Sequence, residues 1–103
     1  MAKTIAELFK RKDTWTQSCM ARDDKGEPCS VDDVNVEKWC LVGAMQYLYG
    51  DYYFQIPTLR NKMATREVCS IIGGYGFAVM SAWNDKPGRT QEEVQKLAEL
   101  AGI

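Results

Sequence analysis

The stretch that decides the fold is SAWNDKPGRTQEEV, residues 81–94. Its apolar start leads into Asn84-Asp85, two residues that often end helices because their side chains bond to the local backbone. Pro87-Gly88 then favours a turn. Thr90 to Glu93 has the S/T-x-x-E form of a capping box, which marks the start of a helix. The stretch therefore predicts two helices joined by a tight turn.

The polar side chains of this joint also form a candidate site. Arg89 lies four residues after Asp85 and could pair with it across the turn. Asn84, Asp85 and Arg89 would then face a cleft with Trp83 as its wall. Two interpretations stay open: a structural joint between helices, and a ligand-binding or catalytic site.

Further helices are predicted on both sides of the joint. In the last helix Val94, Leu97, Ala98 and Ala101 share one face. Residues 77–83 fit a short helix or a buried strand, and residues 58–72 have a helical stripe. Ser30 is a good N-cap for a central helix ending before Gly50, with the small residues Gly43 and Ala44 indicating a close helix crossing.

The N-terminal third is less regular. A capping box at Thr4–Glu7 starts a first helix that should end near Asp13. Residues 15–29 include RDDKGEP, in which Gly26 is free to take a positive φ and Pro28 blocks a helix. This segment is either a small β-hairpin or an ordered loop.

These elements predict a mainly α fold, a compact bundle of four or five helices with a small β-hairpin near residues 15–29 as the alternative to a loop. We expect a single helical domain over residues 1–103. The core prediction is that six side chains are largely buried: Trp39, Ala44, Leu48, Met80, Trp83 and Leu97.

Bulk composition excludes several classes of protein. The 46% apolar and 26% charged residues are typical of a soluble globular chain. No apolar run approaches the roughly 20 residues that span a bilayer, and the N-terminus lacks the apolar core of a signal peptide. A net charge of −1 argues against nucleic acid as a partner. We therefore expect a cytoplasmic protein without membrane contact.

Cysteine and histidine usage argues against metal and nucleophile chemistry. The four cysteines form no C-x-x-C pair, and the chain holds no histidine. A zinc site would need all four cysteines or help from carboxylates, and the cysteine spacings match no zinc knuckle. Without histidine, Ser-His and Cys-His nucleophile systems are excluded. We predict reduced thiols, no metal site and no cofactor.

Two regions favour contact with a protein partner. YLYGDYYF, residues 47–54, holds five aromatic residues in eight, and tyrosine is frequent at interface hot spots. Its tyrosines are the second set of candidate binding residues: Tyr47, Tyr49, Tyr52 and Tyr53. Residues 23–37 carry six acids and one lysine, which is either a solvated face or a patch for a basic partner.

Two motifs together carry a resemblance. WCLVGAM, residues 39–45, and WNDKPGRTQEEV, residues 83–94, preceded by WTQSCMARDDKGEP from Trp15, resemble a small domain family of unknown function found in bacteria and phages. Ser18 stands where that pattern has glycine. The resemblance implies a bacterial or phage source and a compact, mainly helical domain, and it implies no mechanism.

The function expected from these features is a non-catalytic protein-interaction module, a phage-encoded accessory or host-modulating protein being one form of it. Its partner would be another protein or a second copy of the chain. The alternative is a small enzyme or ligand-binding domain that uses Asn84, Asp85 and Arg89. A concave pocket at Asp85 would favour the alternative, and a flat exposed tyrosine patch would favour the module.

Overall fold

The computed structural model describes residues 2–50, 57–74 and 76–103. Within them the chain forms six helices and two short strands. In chain order the elements are α1 Ile5–Leu8, β1 Ala21–Asp23, β2 Val36–Trp39, α2 Leu41–Tyr49, α3 Pro57–Met63, α4 Arg66–Ile72, α5 Phe77–Asn84 and α6 Gln91–Ala101. The mainly α fold with a small hairpin is confirmed, with one more helix than the upper number expected.

Helix α1 is shorter than predicted because side chains from outside the helix donate hydrogen bonds to the carbonyls at and just after its end. The Thr14 hydroxyl donates to the carbonyl oxygens of Leu8 and Arg11, at 3.0 and 2.8 Å. The Gln91 side chain, from the start of α6, donates to the carbonyls of Phe9 and Arg11. The helix therefore ends at Leu8 rather than near Asp13, and its end is tied to α6.

The hairpin pairs β1 with β2 in antiparallel register, Ala21 opposite Trp39. Its first turn follows the predicted chemistry: the Asp23 carboxylate accepts from the backbone N–H groups of Lys25 and Glu27, and Gly26 has φ +80°. The second strand lies outside the expected residues 15–29, because the chain makes a further loop before returning.

The expected helix start at Ser30 is wrong. Residues 36–39 form a strand, and α2 begins after Cys40, whose sulfur accepts from the Gly43 N–H at 3.2 Å. The indole of Trp39 donates to the Val31 carbonyl at 3.0 Å, which holds the preceding loop against the strand. The spacing of Val36, Trp39 and Cys40 fits a helix, but strand pairing with residues 21–23 overrides it.

Buried side chains from all six helices form one core, in which α1 packs on α6 and α2, α2 packs on α5 and β2, and α4 packs on α5 and α6. Five of the six side chains predicted to be buried are buried, and Leu48 is half-buried. The close approach at Gly43 is not a helix crossing: a Cβ there would lie 2.0 Å from the backbone oxygen of Met20, just before β1. Residues 77–84 form a helix, which settles the helix-or-strand alternative.

Candidate functional site

The joint between α5 and α6 is built around the side chain of Asn84, which is 1% exposed. Its Oδ1 accepts from the Trp15 indole at 2.7 Å and from the Leu41 N–H at 3.1 Å. Its Nδ2 donates to the Thr16 carbonyl at 3.2 Å and to the Asp85 carboxylate at 2.9 Å. Two acceptor and two donor positions are all used, so Asn84 has a structural role.

The loop of residues 15–18 docks onto the same joint. Gln17 Nε2 donates to the carbonyls of Asn84 and Lys86, at 2.9 and 3.0 Å. The Ser18 N–H donates to the Asp85 carboxylate at 2.9 Å. Ser18 has φ +72°, a conformation that glycine adopts most readily, which explains why the resembled pattern has glycine there. The first and last motifs of that pattern therefore form one contact.

The expected ion pair between Asp85 and Arg89 is wrong. The Arg89 guanidinium lies 4.0 Å above the Trp83 ring, and its Nε donates to the Trp83 carbonyl at 2.9 Å. Its Nη1 pairs with the Glu93 carboxylate at 2.9 Å. The charge partner of Arg89 is therefore four residues further along the chain, because the turn points Arg89 back over α5 rather than towards Asp85.

The capping box of α6 is formed as predicted. The Thr90 hydroxyl accepts from the Glu93 N–H at 3.2 Å, and the Glu93 carboxylate accepts from the Thr90 N–H at 3.0 Å. The backbone N–H of Thr90, with help from Arg89, holds the pKa of Glu93 below its ordinary value. Removing the cap hydroxyl should therefore cost stability.

Thr90→Ala should lower the free energy of unfolding by about 1 kcal/mol, the usual value of an N-cap hydroxyl. Asp85→Asn should cost less, because asparagine keeps the Oδ1 that accepts from Ser18 and Asn84. Urea titrations of both variants measure this order. A larger loss in Asp85→Asn would mean that the Asp85 charge itself stabilises the joint.

The tyrosine set does not form one flat surface in the part of the chain that the structure describes. Tyr47 is exposed but stacks on Trp39 at 4.6 Å between ring centroids. Tyr49 is half-buried, and its hydroxyl donates to the Ile103 carbonyl at 3.3 Å. Tyr52 and Tyr53 lie outside the described residues. Tyr47 and Tyr49 therefore pack α2 against other parts of the fold.

A cavity of about 190 Å³ lies beside Asp85, lined by Cys19, Cys40 and Ser81 among others. All four cysteines are free thiols. Burial raises the pKa of Cys40 above its ordinary value of 9.0, against a smaller opposing effect of the Gly43 and Val42 N–H groups. Cys40 therefore stays protonated and unreactive near neutral pH. Across the described ranges no group of three or more Cys, Asp or Glu side chains could hold a metal ion.

The raised pKa of Cys40 predicts alkaline destabilisation. Below its ordinary pKa the thiol is protonated in both the folded and the unfolded state, so its full contribution to the free energy of unfolding is present. Above it the unfolded thiol ionises first, and stability falls as pH rises through the folded pKa. Burial raises the pKa of Tyr49 as well, with the same sign. The contribution of Cys40 can be separated from that of Tyr49 by substitution.

Cys40→Ser keeps an acceptor for the Gly43 N–H and removes the titrating group. The drop in urea midpoint between about pH 8 and about pH 10 should therefore be smaller in Cys40→Ser than in the wild type. Tyr49→Phe should remove a separate part of the drop. An unchanged drop in Cys40→Ser would show that the thiol has no part in it.

A groove that the sequence did not indicate runs over α4, α5 and α6. Ile71, Trp83 and Arg89 line both of the two hollows that form this groove. On one side lies a hollow of about 660 Å³ that includes Lys86, here called the Lys86 hollow. On the other side lies a hollow of about 390 Å³ that includes Leu100, here called the Leu100 hollow.

Large apolar side chains are exposed along this groove. Ile71 is 50% exposed and Leu100 is 51% exposed, and Val79 is also exposed at the edge of the Lys86 hollow. The apolar face predicted for residues 58–72 included Val68, Ile71 and Ile72. Helix α4 buries Val68 and Ile72 as predicted, whereas the adjacent Ile71 points away. Leu100 similarly lies beside the buried stripe of α6. Its position next to the stripe was the sequence signal from which its exposure could have been predicted.

No helix in the described ranges is long and apolar enough to cross a membrane. A model of a family of unknown function, DUF6197, matches residues 3–102, and the chain belongs to this family. The resemblance to a family of unknown function is thereby confirmed. No curated protein and no solved structure matches the chain.

Proposed function

We propose that the protein is a non-catalytic protein-interaction module. Its family has no assigned activity, so the proposal is argued from the exposed surface of the fold. The observation that carries the proposal is the groove, in which the half-exposed Ile71 and Leu100 lie beside the Trp83–Arg89 stack. Contiguous exposed apolar surface rimmed by polar groups is typical of interaction sites.

The composition of the groove supports the same proposal. Tryptophan and arginine are the residues most enriched at interface hot spots, where they lie centrally within a ring of other contacts. Arg89 is held in place by Trp83 and Glu93 before any partner arrives. A partner would therefore meet an ordered side chain, which lowers the entropy cost of binding.

The alternative, a small ligand-binding domain or enzyme at Asn84, Asp85 and Arg89, is supported by the cavity of about 190 Å³ beside Asp85. It is the weaker candidate. Asn84 has no hydrogen-bonding capacity left for a ligand, and Arg89 is turned away towards Glu93. The chain also lacks histidine, the usual general base near neutral pH.

We further propose a cytoplasmic setting, in a bacterium or a phage-infected cell. The free thiols support a reducing compartment. The resemblance to a bacterial and phage family supports a bacterium or a phage-infected cell as the host. A phage-encoded accessory or host-modulating protein is the form of the module that fits both the reducing compartment and this host.

The module is tested by selecting displayed random peptides on the wild-type protein, immobilised at low surface density. Selected peptides should lose binding to Ile71→Asp and to Leu100→Asp. They should keep binding to Val34→Asp, a matched control, because Val34 is 96% exposed in the hairpin loop and away from the groove. Peptides that bind both groove variants as tightly as the wild type would refute the proposal.

A further inference from the structure

We infer that Cys19 and Cys29 close a reversible disulfide that fastens the loop of residues 15–18 to the hairpin under oxidising conditions. The inference concerns the hairpin and goes beyond the proposed interaction module. Both cysteines are free thiols and half-buried, so a small oxidant can reach them. Disulfides of cytosolic proteins are usually transient and redox-sensing, which suits the cytoplasmic setting proposed above.

The two cysteines meet at one backbone atom, the carbonyl oxygen of Ala21. This oxygen accepts from the Cys29 N–H at 3.0 Å and from the Cys19 thiol at 3.4 Å. The Cys19 sulfur therefore lies within the combined length of two hydrogen bonds of the Cys29 nitrogen. Turning the Cys19 side chain from the Ala21 oxygen towards the Cys29 sulfur brings the two thiols together.

The backbone holds Cys29 beside β1. Arg22 and Pro28 form an antiparallel bridge, and the Cys29 N–H bond follows it, so Cys29 lies opposite Ala21. Residues that face each other across antiparallel strands have Cα atoms about 4.5–5.5 Å apart. Disulfides join Cα atoms about 4.4–6.8 Å apart. Because the thiol of Cys19 already contacts Ala21, the bridge needs little movement of the backbone.

The other two cysteines are less suitable partners for Cys19. Cys40 lines the same cavity as Cys19, but it is buried, and its sulfur accepts from the Gly43 N–H at the start of α2. A bond to Cys19 would remove that cap. Cys69 lies on α4, and its thiol donates to the Met63 carbonyl instead.

The oxidant is a low-molecular-weight disulfide such as glutathione disulfide, and two exchange steps balance the reaction. Burial and two nearby carboxylates, Asp33 and Asp23, raise the pKa of Cys29, which leaves Cys19 as the first nucleophile. The Cys19 thiolate attacks one sulfur of the oxidant, whose S–S bond breaks and releases a thiolate. The Cys29 thiolate then attacks the Cys19 sulfur and releases the second thiolate. The chain loses two protons and two electrons, and the oxidant gains them as two thiols.

Oxidation of the full chain with excess glutathione disulfide tests the pair. Free thiols are alkylated afterwards, and the protein is digested with trypsin without reductant. All four cysteines fall on separate tryptic peptides, so the partner is read directly. We expect the intact mass before alkylation to fall by two hydrogen atoms, and peptide 13–22 to be joined to peptide 26–38. Excess reduced glutathione should restore the original mass.

Single variants test the order of the two steps. Cys29→Ser should stop at a mixed disulfide of Cys19 with glutathione, because the second thiol is missing. Cys19→Ser should form no internal bridge. Cys69→Ser is the matched control and should oxidise as the wild type does, since Cys69 lies on α4. Thermal melts establish that each variant is folded, and the peptide map of the wild type decides the pairing if a variant is not.

The fastening of the loop has its own measurement. The bridge closes a loop around residues 22–28, so the oxidised wild type should unfold at a higher urea midpoint than the reduced protein. Reduction should remove this increase, and Cys29→Ser should show none. An unchanged or lower midpoint in the bridged protein overturns the fastening.

Three other results overturn the pair itself. They are a bond from Cys19 to Cys40, a cysteine-linked dimer, and a wild type that stays reduced or stops at the mixed disulfide. None of them bears on peptide binding at the groove, so failure of this inference leaves the proposed function standing. Loss of groove-dependent binding would equally leave the disulfide unaffected.

Discussion

Asn84→Ala should lower the free energy of unfolding by about 3–5 kcal/mol, because it leaves several buried polar groups without partners at about 1–3 kcal/mol each. The Trp15 indole and the Leu41 N–H lose their acceptor, and the Thr16 carbonyl loses its donor. A domain of ordinary stability, about 5–15 kcal/mol, would lose a large part of it. Urea unfolding followed by tryptophan fluorescence measures the loss.

Asn61→Ala is the matched control. Asn61 is exposed on α3, so its replacement should change stability by less than about 0.5 kcal/mol. Asn84→Asp should also be costly: aspartate keeps the acceptor for Trp15 and Leu41 but loses both donors and places a charge beside Asp85. An Asn84→Ala variant as stable as Asn61→Ala would show that water replaces the amide without cost.

The central role of Asn84 explains what could be read from the sequence at the joint. Helix ends, the turn and the capping box depend on neighbouring residues, so the order Asn-Asp, Pro-Gly and Thr-x-x-Glu predicts them correctly. Three of the four partners of Asn84 lie 43 to 69 residues away along the chain, and local patterns hold no information about such contacts. The side chains of Asn84 and Arg89 are hydrogen-bonded within the fold, which the local pattern of polar residues does not reveal.

The same distinction explains the errors in the N-terminal half. The strand Val36–Trp39 exists because residues 21–23 lie opposite it, which the spacing of its own apolar residues does not reveal. Helix α1 ends early because the Gln91 side chain, from the start of α6, donates to the carbonyls of Phe9 and Arg11 just after it. In both cases a long-range hydrogen bond overrides a local preference, as is common for short elements.

The joint and the groove are mechanically linked. Asn84 ends α5, and Trp83 immediately before it lines both hollows of the groove. The bonds of Asn84 to Trp15 and Leu41 fix the position of this helix end. The buried Asn84 side chain thus affects the groove indirectly, because it holds Trp83 and the overlying Arg89 in one position. Folded variants of the joint should for that reason alter binding at the groove as well as stability.

Gly43→Ala should lower the free energy of unfolding by about 2–3 kcal/mol, near the upper end for overpacking, because the added Cβ meets rigid backbone. It would lie 2.0 Å from the Met20 oxygen and 2.9 Å from the Met20 carbonyl carbon. In an ordinary helix interior the same change stabilises by about 1 kcal/mol. The sign of the effect therefore tests the close approach, and increased stability would contradict it.

The Met20 oxygen that the new Cβ would strike also accepts from the Cys40 N–H, at 3.1 Å. Displacing it should break that bond and separate the hairpin from the start of α2, so the Cys40 amide should exchange with deuterium faster in Gly43→Ala. Gly26→Ala is the control: nothing lies within 4 Å of its Cβ, and only the backbone strain of φ +80° is added. It should leave exchange at Cys40 unchanged. Equal exchange at Cys40 in both variants would mean that the hairpin and α2 can separate without loss, and that Gly43 is not required where they meet.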